Sequence, residues 1–283
     1  MRYIKSPMNY IGNKYRIMAQ MQRWFPKDID LMVDLFCGGC DVSINTKACR
    51  HVANDINVYL IQILKAFQDN GPEKTLRYID EKIAQWGLSK HNQEGYEAFR
   101  AYYNQTREPL DLYVLMCYSF NYQFRFNSDH EYNNPFGRAK SSFNKNMREN
   151  LLRMFEVIGD IRFMSQDFGD FDYHILKPGD FLYADPPYLI TCGSYNDGKR
   201  GFKGWSAADD KKLFENLDDL DRRGVKFALS NVTRHKGLKN SELIQWKRDR
   251  GYHMHKIRFD YNNCNYHTRN KENLTEEVLI TNY

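Results

Sequence analysis

Asp185-Pro186-Pro187-Tyr188 sets an acid, two prolines and an aromatic ring in four consecutive positions. A carboxylate here can accept a hydrogen bond from an amine, the Pro186 carbonyl can accept a second, and the Tyr188 ring can stack on a flat heterocycle. That set suits methylation of the exocyclic amino group of a nucleobase. Such a nitrogen is a poor nucleophile because its lone pair is delocalised into the ring, and two acceptors on its N–H groups would draw it toward a tetrahedral form. The alternative reading of these four residues is a strand stopped by prolines and followed by an ordinary surface turn.

The residues before the turn decide where it stands. Gly179-Asp180-Phe181-Leu182-Tyr183-Ala184 reads as a turn and then a short, nearly all-apolar strand, the pattern of a buried parallel strand. Each proline lacks the N–H that a sheet ladder needs, so the strand ends at Ala184. Acid and ring are thereby held on a stiff turn at the carboxyl end of a central strand, where open α/β sheets bind ligands.

An α/β rhythm surrounds this strand. Lys14 to Trp24 reads as a helix stopped at Pro26. Leu31 to Phe36 is a buried strand, Val42 to Ala48 a helix, His51 to Asp55 a strand, and Val58 to Gln68 a helix closed by Asn70-Gly71-Pro72. From Pro72 to about Gly159 the composition turns mostly helical, with helices expected at 74–86, 93–105, 109–119 and 145–158 around an irregular polar segment from Asn121 to Asn144. Strands at 161–164, 181–184, 226–229 and 277–281 and a helix at 209–222 resume the pattern. An α/β sheet interrupted by a helical module fits this order better than two consecutive domains.

Phe36-Cys37-Gly38-Gly39-Cys40 falls at a strand-to-helix turn, where glycines let a ligand approach the backbone closely. Asp55 ends the next strand, and a carboxylate there can hold the ribose hydroxyls of a nucleotide-like cofactor, or merely cap the following helix. Together the two features suggest a nucleoside-bearing cofactor. Cys37-x-x-Cys40 also invites a redox or zinc reading, but no second ligand pair at matching spacing accompanies it among the six scattered cysteines, 37, 40, 49, 117, 192 and 264. Near the N-terminus, Asn9-Tyr10-Ile11-Gly12-Asn13-Lys14 sets an aromatic and a lysine about a glycine turn. Asp167-Phe168 offers an acceptor for an adenine amino group and a ring to stack on it.

The segment Asn121 to Arg138 is rich in Asn, Arg and aromatic side chains, types that read base edges, fill the gap left by a displaced base and contact phosphates. A polar loop packed on its own aromatics is the alternative. Over 283 residues the net charge is +5, the apolar content 42% and the aromatic content 15%, which argues for a folded chain and against disorder. Positive charge is uneven: Arg234 to Arg258 includes Lys236, Lys239, Lys247, Arg248, Arg250 and Lys256 with only Glu242 and Asp249 opposing, and a second run holds Arg138, Lys140, Lys145, Arg148 and Arg153. No apolar run reaches the length of a membrane span and no signal-peptide core opens the sequence, so a soluble, cytoplasmic protein without membrane contact is expected.

Taken in order, these motifs resemble the D12 class, or Dam-like α-group, of DNA adenine-N6 methyltransferases, the type found in restriction-modification systems. The resemblance runs from Asn9 to Tyr283 and rests on the glycine motif at 36–40, on Ala53-Asn54-Asp55-Ile56-Asn57, on Asp185-Pro186-Pro187-Tyr188, and on a stretch similar to the family's DNA-reading hairpin, with Arg125-x-Asn127 on one arm and Asn133-x-Pro135-Phe136-Gly137-Arg138 on the other. It implies S-adenosylmethionine as methyl donor, no metal, and a cofactor pocket of Tyr10, Lys14, Phe36, Gly38, Asp55, Asp167, Phe168 and Asp185. It implies that Asp185, Pro186 and Tyr188 act on a flipped adenine of double-stranded DNA, that Phe126-Asn127 lies near the flipping gap, and that Asn121, Arg125, Asn133, Pro135 and Arg138 join them in binding DNA. One departure stands out: the third small position of the glycine motif, usually glycine, is Cys40.

The expected architecture is a Rossmann-like methyltransferase sheet built from residues 1–70 and 160–283, with an inserted, mainly helical recognition module at 71–159 carrying a β-hairpin at about 120–140. A restriction endonuclease is the expected functional counterpart, and a monomer or weak dimer the expected state. An S-adenosylmethionine-dependent enzyme acting on RNA or a protein amide, a non-catalytic DNA-binding relative, and a dithiol oxidoreductase are the competing readings.

Overall fold

The computed structural model describes residues 3–10, 12–192, 204–258 and 275–283. Ile11 of the N-terminal glycine turn and Cys264 lie outside them. The sheet contains β1 (Leu31–Asp34), β2 (Arg50–Asn54), β3 (Ile161–Met164), β4 (Phe181–Ala184), β5 (Lys226–His235), β6 (Leu238–Lys239), β7 (His253–Ile257) and β8 (Glu276–Thr281). Its order is β3-β2-β1-β4-β5-β8-β7, with β6 pairing only with β5. The five strands from β3 to β5 are parallel, and β8 enters antiparallel to both β5 and β7. Strand order reverses between β1 and β4, which creates a crevice beyond their carboxyl ends. Every residue of β1 and β4 is buried, as their apolar sequences require for strands covered on both faces.

The helices are α1 (Met18–Met21), α2 (Val58–Gln85), α3 (Gln93–Thr106), α4 (Pro109–Tyr118), α5 (Lys145–Phe155), α6 (Leu189–Cys192), α7 (Ala207–Arg222) and α8 (Ser241–Arg250). α4 starts on Pro109 and is buried from Leu110 to Tyr118, so it forms the centre of the helical module. One apolar core joins α2, α3, α4 and α5 to Ala53 and Ile161 of the sheet; a second lies between α7, α8 and the strands. The module therefore shares its core with α2 and does not stand apart.

Several elements differ from the sequence expectation. Lys14 to Trp24 yields one 3-10 turn, Tyr15–Ile17, and the single turn α1. Val42 to Ala48 is no helix beyond the 3-10 turn Ser43–Asn45: the Asp41 side chain accepts from Ser6 N (3.0 Å), and Asn45 bonds the Ile4 amide and carbonyl (both 2.7 Å), which ties this stretch to the N-terminal segment. α2 continues past Gln68 to Gln85, although Gly71 (φ 67°, ψ −178°) breaks its geometry and Pro72 restarts it. The 120–140 segment pairs only at Ser119–Phe136 and Phe126–Tyr132, so it is a loop with two antiparallel bridges rather than a hairpin of regular strands. β5 runs on to His235, and α8 and β7 add elements that were not expected.

Candidate active site

The crevice between β1 and β4 opens into a cavity of ≈ 400 Å³, within the range of small-molecule sites. Two turns form opposite walls. One is the Asp185-Pro186-Pro187-Tyr188 turn at the end of β4; the other is the glycine turn at the end of β1, followed across the sheet by Asp55 at the end of β2. Of the residues expected at the site, Tyr10, Lys14, Phe36, Gly38, Asp55, Asp167, Phe168, Asp185, Pro186 and Tyr188 all line this one cavity.

At the Asp185–Tyr188 turn the side chains form a closed network. Lys14 Nζ lies 2.7 Å from Asp185 Oδ2, donates to the Gly12 carbonyl at 2.9 Å, and is 3.8 Å from Glu277 Oε1. The Tyr188 hydroxyl donates to Asp185 Oδ1 at 2.7 Å and sits 3.4 Å from Glu277 Oε1. Burial works against the Lys14 charge, but the Asp185 and Glu277 carboxylates outweigh it and hold the ammonium pKa above the ordinary lysine value. Burial, aided by the same two carboxylates, pushes the Tyr188 hydroxyl well above its usual range, which keeps it a proton donor.

At the opposite wall Gly38 takes φ +48°, and a Cβ there would meet Tyr10 Cδ1 at 2.8 Å. Gly38 N donates to Asp55 Oδ2 at 2.9 Å, and Asn57 N donates to Asp55 Oδ1 at 2.8 Å. Each oxygen keeps a second lone pair, so this fixed carboxylate can still accept from two hydroxyls. Cys40 adopts φ +70° with no exposed surface, a left-handed backbone that favours glycine. Its neighbour Cys37 is buried too, and the hydrogen bond with Cys40 together with burial drives the Cys37 thiol pKa up. A reactive dithiol needs the reverse, an exposed cysteine with a depressed pKa, so the redox reading is set aside. No metal-binding group of His, Cys, Asp or Glu occurs among the described residues.

An aromatic wall completes the pocket. Phe168 packs on Phe36 (5.7 Å between centroids) and Trp205 (5.0 Å), while Asp167 Oδ1 accepts from Gly169 N at 2.8 Å. Trp205 is held by its indole donating to Asp210 at 2.7 Å, just before the capping box of Ser206 and Asp209 that starts α7.

Three participants were not singled out in the sequence. Asp34, at the end of β1, is 1% exposed and lines the cavity; Ser43 Oγ donates to its Oδ2 at 2.7 Å, while Oδ1 is buried with no partner. Burial raises its carboxyl pKa to about 7, against the Ser43 hydrogen bond and with help from the charges of Asp185 and Asp55. Glu277 reaches the Asp185–Tyr188 turn from β8, and Trp205 joins the ring wall. An acid at the edge of an apolar run was the available signal for both, Asp34 closing Leu31–Asp34 and Glu277 preceding Val278-Leu279-Ile280.

The segment expected to bind DNA flanks the site. Asn9 Nδ2 donates to the Asn121 carbonyl at 3.0 Å, joining the pocket rim to the start of the segment. Arg125, Pro135 and Arg138 are exposed, and Arg138 donates to Gln93 Oε1 at 2.8 Å. Asn133 is half-buried. Asn127 closes its own turn, accepting from Asp129 N and Glu131 N and donating to the Glu131 carboxylate. Phe126 is buried, stacked on Tyr59 at 4.4 Å, and forms part of the cavity wall. The ring that projects from this segment is Phe120, 51% exposed beside Asn121.

Comparison with known proteins agrees with this arrangement. Residues 10–261 match the model of the D12 class N6 adenine-specific DNA methyltransferases, and the chain belongs to that family. It is 47% identical over 283 residues to the Type II methyltransferase M.FokI of Planomicrobium okeanokoites, covering 99% of this chain and 43% of that protein. It is 48% identical over 284 residues to the modification methylase StsI of Streptococcus sanguinis, covering 100% and 43%. The DNA adenine methylase of Escherichia coli strain K12 is 24% identical over 228 residues, 79% of each chain. The chain thus spans less than half the length of M.FokI and StsI, 43% in each case.

Proposed function

We propose that the chain transfers a methyl group from S-adenosylmethionine to N6 of an adenine flipped out of double-stranded DNA. The observation that carries this reading is the meeting of the Asp185–Tyr188 turn and the Gly38–Asp55 turn in one cavity whose carboxylates, among the described residues, are Asp34, Asp41, Asp55, Asp167, Asp185 and Asp209 against one cation, Lys14. So acidic a pocket favours a cationic ligand, and Oδ1 of Asp34 is a buried polar atom left for a ligand to meet. S-adenosylmethionine, when bound, supplies an electrophilic methyl group on a sulfonium. Asp55 would accept from ribose hydroxyls, the Gly38 turn would admit the cofactor close to the backbone, and Asp167 with Phe168, Phe36 and Tyr10 would bind the adenosine ring.

The protein's own work is then positioning. Tyr188 would stack on the target base, and Asp185 and the Pro186 carbonyl would each accept one N6–H. As the new N–C bond forms the sulfonium's methyl–sulfur bond breaks, leaving a neutral thioether, and N6 must lose a proton, which Asp185 would be placed to accept. Residues 71–159 would serve as the recognition module, with Asn121, Arg125, Asn127, Asn133, Pro135 and Arg138 facing DNA. Phe120 would fill the vacated gap and Phe126 would back the pocket wall. A restriction endonuclease of matching specificity is the proposed functional counterpart.

The test is incubation of the chain with methyl-labelled S-adenosylmethionine and genomic DNA lacking N6-methyladenine, followed by sequencing that detects N6-methyladenine in context. Label at adenine N6 within one short sequence is expected. Label confined to RNA or protein, or none in DNA, would overturn the reading.

A further inference from the structure

We infer that the β5–β6 hairpin, Thr233 to Asn240, is a second DNA-backbone clamp on the side of the catalytic turn opposite the helical module. This inference rests on the proposed action on duplex DNA. In the parallel register Leu229 of β5 lies level with Ala184 of β4, the residue before Asp185. β5 continues from there to His235, so Arg234 stands roughly 17 Å past that level at about 3.3 Å per residue. The hairpin therefore rises from the same end of the sheet as the active site. In the sheet order the module packs on the β2–β3 side of the crevice and this hairpin on the β5 side. A duplex presenting a base to Asp185 spans the gap between them.

The hairpin's own residues argue for an anionic partner. Lys236 (φ 46°) and Gly237 (φ 80°) both take positive φ in a two-residue turn, a geometry that favours Asn-Gly or Gly-Gly. A lysine there is conformationally unfavourable, yet it places a charge at the tip. Arg234 and Lys239 sit directly opposite each other across the strands, and like charges so placed repel. Glu276, the acid beside Arg234, is already engaged by Lys256 at 2.6 Å and by the Thr233 hydroxyl at 2.6 Å. Among the described residues neither Lys236 nor Lys239 has an acidic partner within ion-pair distance, and Arg234, Lys236 and Lys239 are all exposed. An unfavourable turn residue and two lysines without an acidic partner, one of them facing Arg234, on an exposed projection are what a phosphate backbone would relieve.

The test measures binding of a mixed-sequence DNA duplex to the full chain across a salt series, for the parent and for the double variant Lys236→Ala with Lys239→Ala. The variant should bind about tenfold more weakly near 0.1 M salt, and its slope of log K against log salt should be shallower by about 0.9 for each phosphate it no longer neutralises. The weakening should be equal for any duplex sequence, because backbone contacts carry no base information. Lys236→Arg with Lys239→Arg should restore binding, and S-adenosylmethionine binding by calorimetry should match the parent in both variants. Superimposable duplex titrations for parent and alanine variant would overturn the inference alone. Failure of the parent to bind any duplex would overturn it together with the functional reading.

Discussion

Lys14 and Asp185 meet at 2.7 Å, so the acid of the Asp185–Tyr188 turn is held by a lysine from the first fifteen residues of the chain. Lys14 is 6% exposed, and its remaining donors face the Gly12 carbonyl and Glu277. Its charge is therefore committed to the turn and to Glu277. The family resemblance assigns Lys14 to the cofactor pocket; the geometry makes it first a clamp that holds the Asp185 side chain in place.

Replacing Lys14 by Met should separate these roles. The substitution leaves Asp185 and Glu277 facing each other without a cation, and removing one partner of a buried pair typically costs about 3–5 kcal/mol. Asp185 opens on the cavity with 17% of its side chain exposed, so the lower end applies. The denaturant midpoint should fall accordingly at unchanged slope, and methyl transfer should drop. S-adenosylmethionine affinity should change little; a large loss of affinity at preserved stability would return Lys14 to the cofactor site.

Asp185→Asn keeps the shape of the turn and removes the acceptor charge. If the carboxylate draws in the N6 protons, single-turnover methyl transfer should fall on the order of 10²–10³, as for removal of one preorganised transition-state interaction. Duplex binding should persist, because the residues proposed to face DNA are untouched. The Tyr188 hydroxyl would still find an oxygen where Asp185 Oδ1 stood, but the amide nitrogen would then face the Lys14 ammonium, so stability falls too and the rate is read well below the variant's melting temperature. Near-normal turnover in rapid-quench assays would remove Asp185 from the reaction.

Much of this was legible in the sequence because the informative residues are local. β1, β2 and β4 announce themselves as apolar runs, and Pro186 and Asp55 mark where two of them stop. What failed did so for tertiary reasons. Val42 to Ala48 follows a strand-to-helix turn, but it is rich in β-branched residues with Ser and Asn, and Asp41 and Asn45 bond the N-terminal segment, so the chain turns only once. α8 buries only Leu243, and β7 alternates around histidines, so neither carries a clear apolar period. Glu277 comes within 3.4 Å of Tyr188 only because β8 inserts next to β5, an adjacency that no local pattern encodes. Asp34 looked like part of a strand, and its unpartnered oxygen exists only once Ser43 has taken the other.

Gly38→Ala tests the cofactor wall without touching the catalytic turn. The new Cβ would sit 2.8 Å from the Tyr10 ring, on a backbone at φ +48° that L side chains rarely adopt. Left-handed geometry alone costs about 1–2 kcal/mol, and the Tyr10 ring must swing aside as well. Calorimetry should show S-adenosylmethionine affinity reduced by tenfold or more, a change of about 1.4 kcal/mol or greater, while duplex affinity is kept. Unchanged cofactor affinity would show that ligand and Gly38 do not meet.

Asp34 gives the pH prediction. Its carboxyl pKa rises from 3.8 to about 7 on folding, chiefly through burial. Between those values the folded protein keeps a proton that the unfolded chain has lost. The stabilising contribution of Asp34 is therefore fully present below the lower value and is lost as pH rises through about 7, with a ceiling on the order of 4 kcal/mol at 1.36 kcal/mol per unit. Melting temperatures of the parent and of Asp34→Asn should accordingly diverge between about pH 4 and 7, the parent losing more stability as pH rises. A cationic ligand brought to the free Oδ1 would pull the pKa back down, so S-adenosylmethionine binding near pH 6 should release close to one proton. Calorimetric enthalpies in buffers of different ionisation heat measure that release directly. It should vanish in Asp34→Asn, and a buffer-independent enthalpy in the parent would mean that the sulfonium-bearing ligand leaves Asp34 protonated.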